Sequence, residues 1–557
     1  MAPTTYFDVI TKLNSCSLRQ SLELVSLLSA VEYHDGHNSP ISSLLHSETV
    51  RLLAEAIIKS KAAWYKEQRI ELSDLPELVN GANEALHDKR LAEIRSGGER
   101  QEMLYKLQRY LSRLAYIQIR PQQTPFISLG RSLAILDVIP SQYRDELAPH
   151  LQDLASAFPA TVQEALGLKV SDVVKTHLSL ADYFGRVGFF HSRQLPSPRE
   201  GRKFNSTQQA YLLRQLVAAS ESTRHLFRLT EDGFGEIAGE YGRQSLRKFA
   251  AIFGRQIHQL RDLFQLREFQ AGPEGHRLSP LDRFPLITEE GGGAWYVPNV
   301  RGFVRSAPEI LHFTLNETCR EIYEALRGGL LEIYLRLMLE TRAPHLKLIP
   351  EMRWMTRKGG VAGPDLLLID HSDEPVVIAV EVKSRRMLPS TRYELLDEHL
   401  EKNYEDLWKA MERLPSKVSK IFSHAGDYQE YKEDLVRAER YPVYYLGVAG
   451  EAPFLFGELV EYRRRLDLEF PLYGFNELGG VMSVDSFERM VEVSVQKARP
   501  IVSVLREYLE DCKNLELSGD MAENFRHADL DEMAFFGCSF LEPFWPSSDA
   551  SNVVQHP

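Results

Sequence analysis

Few of the features that announce a function are present in this chain. Cysteine is nearly missing: four residues in 557, Cys16, Cys319, Cys512 and Cys538, are scattered with no CxxC and no ligand-like spacing. That excludes a disulfide scaffold and a structural zinc site, and the four read as reduced thiols of a cytosolic protein. No apolar run reaches the length of a membrane span, because charges interrupt the oily stretches every few residues. The opening MAPTTYFDVITKLNS has no basic region ahead of an apolar stretch, so no secretory leader is expected and the expected location is cytoplasmic, away from any membrane. A basic surplus is lacking too. The net charge is −12, which argues against a protein that coats nucleic acid by bulk charge. A local basic groove is still compatible with that balance, and 198–203, Arg357 with Lys358, Arg385 with Arg386, and 463–465 are its candidate pieces.

What is there begins with length. A chain of 557 residues exceeds what one hydrophobic core organises, so several domains are expected. Residues 1–270 repeat apolar positions at three- and four-residue spacing, as in SETVRLLAEAIIKSKAAWYKEQ, and read as an all-α region. Turn-rich breaks fall at 34–40, 95–100, 120–125 and 195–206. The cluster His34-Asp35-Gly36-His37 has no further ligands at a useful spacing and reads as a loop histidine pair. Residues 271–307 change character: AGPEGHRLSP is a linker, and RFPLITEEGGGAWYVPN predicts a β-hairpin, 284–288 with 294–297, around three glycines. From 308 to 515, EILHFTLNETCREIYEALRG and LLEIYLRLMLETR read as helices broken at the two glycines. HLKLIPEMRWMT, GPDLLLID and EPVVIAVEVK each read as one strand, followed by a long helix and the strand YPVYYLGVAG. This order predicts a mixed sheet flanked by helices. The remainder, 516–557, reads as a tail that is partly disordered. The fold class is thus α+β and multidomain.

One stretch carries chemistry. In VAGPDLLLIDHSDEPVVIAVEVKSRR, residues 361–386, two oily runs are bounded by Pro-Asp and by Glu-Val-Lys. If the two runs form a hairpin in which Asp370 faces Val376, Asp365 falls opposite Glu381, and Lys383 shares their face because side chains alternate. Two opposed carboxylates repel each other in a sheet, and a divalent cation removes the conflict. Carboxylate oxygens completed by water and phosphate are how magnesium is usually held, and a lysine alongside can orient an attacking water. Phosphodiester hydrolysis is the chemistry that this set suits best.

Pro364-Asp365 followed sixteen residues later by Glu381-Val382-Lys383, in consecutive strands after a helix, resembles the PD-(D/E)XK nuclease superfamily, the restriction-endonuclease-like fold of many DNA-cutting enzymes. The resemblance covers about residues 308–455. It implies that Asp365 and Glu381 bind Mg²⁺, with Mn²⁺ as a substitute, and that Lys383 acts at the attacking water. It also implies an acidic residue from the preceding helix, for which Glu332 in GGLLEIYLRLML is the match; the alternative for Glu332 is an ordinary pair with Arg336 one turn on. Ser384, Arg385 and Lys358 are candidates for contact with the nucleic-acid backbone. A second Glu-x-Lys, Glu430-Tyr431-Lys432, sits in a charged helical stretch with no oily strand and fails on context.

The expected function is therefore a Mg²⁺-dependent nuclease, most readily a DNA endonuclease, with RNA a second substrate class. Its helical half would serve as sensor, partner-binding or self-associating region, an organisation that resembles bacterial antiviral defence effectors. The competing expectation is a catalytically silent nucleic-acid-binding or scaffold protein of the same fold.

Overall fold

Amphipathic helices make up most of both halves of the chain, as the three- and four-residue spacing requires, and the strands are few and short. The computed structural model describes residues 5–35, 41, 45–86, 125–193, 195, 205–270, 279–356, 359–384, 397–450, 479–514 and 530–545. The chain divides into two compact units, neither continuous in sequence. One comprises Met1–Ser96, Thr161–Thr318 and Leu541–Pro557, the other Gly97–Ala160 and Cys319–Phe540. Composition drew its lines at 270, 307 and 515, where the local pattern changes; the units follow packing, which composition does not record. None of the described helices is long and apolar enough to cross a membrane.

The first unit is built on helices with explicit starts. Thr5 and Asn205 close capping boxes on the helices Tyr6–Leu13 and Ser206–Ala219, and the Thr230 side chain accepts from the Gly233 N–H to begin Glu231–Phe253. His177, on Val170–Ser192, sits fully buried beside Phe249, Phe253 and Phe303. Burial pushes its imidazole down to about 4, so it is neutral, with Nε2 3.1 Å from the Val304 carbonyl oxygen. The all-α expectation for 1–270 needs one correction. Gly254–Gln256 (β1) pairs in parallel with Leu286–Thr288 (β2), which pairs antiparallel with Trp295–Tyr296 (β3). The last two are the predicted hairpin. Its turn uses Gly291 and Gly292 at φ +95° and +77°, a backbone region that side chains disfavour. β1 is three residues at the end of a long helix, too short to leave a period.

The second unit centres on a five-stranded sheet. Its strands are Lys347–Pro350 (β4), Leu366–Asp370 (β7), Val376–Lys383 (β8), Val443–Ala449 (β9) and Gly479–Ser483 (β10), in the order β10-β9-β8-β7-β4. β4–β7 and β7–β8 are antiparallel; β8–β9 and β9–β10 are parallel. β8 lies in the middle and is buried from Val376 to Val382, which is why its sequence is an unbroken oily run rather than an alternation. The parallel step from β8 to β9 spans the helix Asp397–Ser423, as a crossover connection requires.

Three local expectations differ. The run HLKLIPEMRWMT is two strands, not one: the chain leaves the sheet after Pro350, and Arg353–Thr356 (β5) pairs with Gly359–Ala362 (β6) in a separate hairpin. The helix break expected at Gly328-Gly329 falls instead at Cys319, between Val300–Thr318 and Arg320–Arg342. Gly329 lies inside the second helix, where a Cβ would come within 2.8 Å of Leu147 Cδ2, a close approach that glycine accommodates. β10, in GGVMS, was missed altogether, since two glycines in five residues carry no strand signal.

Part of the expected tail is packed. Phe535 and Cys538 are buried with Ile127 in one apolar cluster, and Phe536–Ser539 lies on the helix Pro125–Leu133. The helix Val484–Gln496 is buried even at its charges. Arg131 meets Glu488 at 2.8 Å and also pairs with Asp485, while Arg342 grips Glu492 with two hydrogen bonds of 2.7 Å. Burial raises Glu488 to about 7, with Asp485 adding to the rise and Arg131 opposing it.

Candidate active site

The register that the sequence suggested is the register observed. Asp370 pairs with Val376 and Leu366 with Val380, so Asp365, one residue ahead of β7, comes level with Glu381. The geometry is locked by a hydrogen bond: the Val382 N–H donates to Asp365 Oδ2 at 2.6 Å. Lys383 Nζ donates to Glu381 Oε1 at 2.8 Å and lies 3.8 Å from Asp365 Oδ2. The two carboxylates and the lysine are therefore one cluster. On the other side of β8, Glu381 faces Gly447 and Lys383 faces Ala449, so no bulky neighbour fills that flank.

Glu332, on the helix Arg320–Arg342, is acted on by the charges of this cluster. Burial, then the negative charges of Asp365 and Glu351, push its carboxyl up to about 8; Lys383 opposes the rise and Glu381 adds to it. Arg336, the partner that an ordinary surface pair would use, is bonded to Glu146 and lies 3.8 Å from Glu340. Asp365 is raised to about 6, first by burial and then by Glu381, against the pull of Lys383, the Val382 N–H and Lys417. Burial pulls the Lys383 ammonium down, but Asp365 and Glu381 outweigh it and the net shift is upward. Lys383 is therefore a charged donor in this arrangement rather than a resting base.

The raised acids fix the direction of a pH effect. Folding lifts Glu332 from 4.5 to about 8, so the folded chain holds that proton more tightly than the unfolded one. The associated stability is complete below pH 4.5 and is lost as the pH rises through 8. Glu332→Gln is expected to flatten this slope and to stabilise the protein by about 2 kcal/mol at pH 8. Thermal denaturation of both proteins at pH 5, 6.5 and 8 checks it; an unchanged difference between them at every pH would show that Glu332 is not held in this charged, buried setting.

Two groups at the site had not been foreseen. Lys417, on the helix Asp397–Ser423, donates to Glu381 Oε2 at 2.8 Å with its side chain 17% exposed. Its helix turns Met411, Leu414, Val418 and Ile421 into the core, and Lys417 stands on that stripe beside Leu414 and Ile421. A single lysine on an apolar face was the available signal. Arg327 is the other: its Nε donates to Ser384 Oγ at 3.2 Å, which gives the expected phosphate contact Ser384 a guanidinium companion. Arg385 and Lys358 lie outside the described residues, as do the basic segments 198–203, 386 and 463–465.

The donor set fits a hard cation such as Mg²⁺. Asp365 and Glu381 supply carboxylate oxygens, and the upward shifts of Asp365 and Glu332, set first by burial and then by neighbouring acids, express the cost of burying these carboxyls together even beside Lys383. Among the described residues no three His, Cys, Asp or Glu side chains are gathered closely enough to enclose an ion by themselves. One or two carboxylates completed by water and phosphate need no such enclosure. A cleft of about 570 Å³ in the first unit, lined by Arg247, Arg255, Gln256, Gln259 and Trp295 among others, contains no acid and offers no comparable chemistry. Comparison of the chain with family models, with curated proteins and with solved structures finds no match.

Proposed function

We propose that the second unit is a divalent-cation-dependent nuclease that hydrolyses phosphodiester bonds, with DNA as the leading substrate. The observation that carries this reading is that Asp365, one residue ahead of β7 and bonded to the Val382 N–H, comes level with Glu381, with Lys383 Nζ 2.8 Å from Glu381 Oε1. Supporting it, Arg320–Arg342, β4, β7, β8, Asp397–Ser423 and β9 follow one another in the α-β-β-β-α-β order of restriction-endonuclease-like folds, with the β5–β6 hairpin as an insertion.

In this reading Asp365 and Glu381 would hold Mg²⁺, which when bound would supply polarisation of the scissile phosphate and of the attacking water. The Val382 N–H fixes the orientation of the Asp365 carboxylate. Lys383, kept protonated by its two acids, donates to the water or to a phosphate oxygen and holds negative charge as it develops. Glu332, on the helix Arg320–Arg342 and acted on by the charge of Asp365, is the further acid that would hold a water of the cation. Arg327 and Ser384 lie at the end of β8, where a phosphate flanking the cut would pass.

The test is direct. Purified protein incubated with plasmid, linear duplex, single-stranded DNA and RNA is expected to cleave at least one of them with Mg²⁺ or Mn²⁺ and none with EDTA. Failure to cleave any of them with either metal, in a protein that binds them, would favour the silent nucleic-acid-binding reading instead.

A further inference from the structure

Glu381 is held by two ammonium groups. Lys383 takes Oε1 and Lys417 takes Oε2, each at 2.8 Å, and the carboxylate is 4% exposed overall. The two lysines come from different elements, one from β8 and one from the helix Asp397–Ser423. Together they bring two positive charges to the carboxylate that the proposed function gives to a divalent cation. Lys383 also approaches Asp365, at 3.8 Å, whereas Glu381 is the only acid that Lys417 is seen to bond among the described residues. A lysine needed only to anchor its helix would not have to spend its charge on this oxygen; the stripe Met411, Leu414, Val418 and Ile421 already does the anchoring.

We infer that Lys417 is a resting-state counter-ion of Glu381, which yields the Oε2 oxygen when a divalent cation is taken up. This rests on the nuclease reading of the same site. Two consequences follow from the charge alone. Without a cation, Lys417 satisfies a buried carboxylate that would otherwise face water exclusion with half its partners. With a cation, the Lys417 ammonium is a competitor for the same oxygen and a like charge close by, so it weakens uptake. Lys417 is a positioning residue: it acts through Glu381. Its flexible four-carbon stem lets the ammonium leave without moving the helix.

Binding of Ca²⁺ and Mn²⁺, followed by calorimetry on the full-length protein without nucleic acid, tests this apart from activity. Lys417→Met is expected to bind either ion about tenfold more tightly than wild type. Its metal-free form should melt at a lower temperature, with the loss recovered at saturating ion. Lys417→Arg, which keeps the charge, should bind ions close to wild type. Asp365→Asn reports whether the measured ion sits here, and should lose it. Equal or weaker binding by Lys417→Met, beside a wild type whose binding Asp365→Asn abolishes, overturns the counter-ion role and leaves the nuclease reading standing. No ion binding by wild type or variant overturns both.

Discussion

Glu381→Gln is expected to slow metal-dependent cleavage by about 10³-fold or more while the protein stays folded. The glutamine keeps the shape of the side chain and its place on β8, whose neighbours Val380 and Val382 are buried and untouched. What it removes is the charge that Lys383 and Lys417 share and that a cation would bind. Lys383→Met should approach the same loss by a different route, since the proposed cation ligands remain while the proposed donor to the attacking water goes. Gel-based cleavage kinetics under single-turnover conditions, with ion binding measured in parallel, separate the two. Glu381→Gln should lose both readouts, and Lys383→Met should lose rate while still binding the ion. Undiminished cleavage by Glu381→Gln would move the active site elsewhere in the chain.

The largest stability effect is expected at Arg131. Its guanidinium is buried between Asp485 and Glu488, and it also donates to Ser128 Oγ at 3.2 Å. Desolvation opposes its charge, yet the two acids raise its pKa on balance. Replacing such a pair by apolar residues is often neutral, but removing one partner leaves an uncompensated buried charge and costs about 3–5 kcal/mol. Arg131→Met should therefore lose about that much, and more at high pH than at low. Glu488 is already raised to about 7 against the pull of Arg131; without it the acid rises further, so the deficit grows as the pH passes through that range. The double variant Arg131→Met with Glu488→Gln should recover much of the loss, because the orphaned charge is gone. Chemical denaturation at pH 5.5 and 8 checks all three proteins. A loss that is equal at both pH values and unrelieved in the double variant would mean that packing, not charge, is what Arg131 contributes.

How much of this was legible beforehand depends on sequence distance. The β7–β8 hairpin was legible from two oily runs around a short turn, and the register taken for it, Asp370 facing Val376, is the one observed. Asp365 comes level with Glu381 from that register; a turn one residue longer or shorter would have shifted it. Glu332 was found only as an acid in an otherwise apolar helix turn, and its raised carboxyl comes first from burial and then from charges that no local pattern names. HLKLIPEMRWMT was misread as one strand because both of its halves carry the β signal, and only pairing partners reveal that they belong to different sheets.

The amino-acid sequence by itself determined the helical character of the N-terminal region, the hairpin at the site and, once Asp370 is set opposite Val376, the convergence of Asp365, Glu381 and Lys383. All of these rest on periodicity and on contacts within about twenty residues, where chain geometry leaves little choice. Only the tertiary structure decided that Lys417 completes the shell of Glu381 from a helix 36 residues on, and that Arg131 is neutralised by Glu488 from 357 residues away. It also decided that 125–160 belongs to the same unit as the sheet. A buried charge must find a partner, but which distant segment supplies it is settled by how helices pack, and that information is absent from any window of the chain.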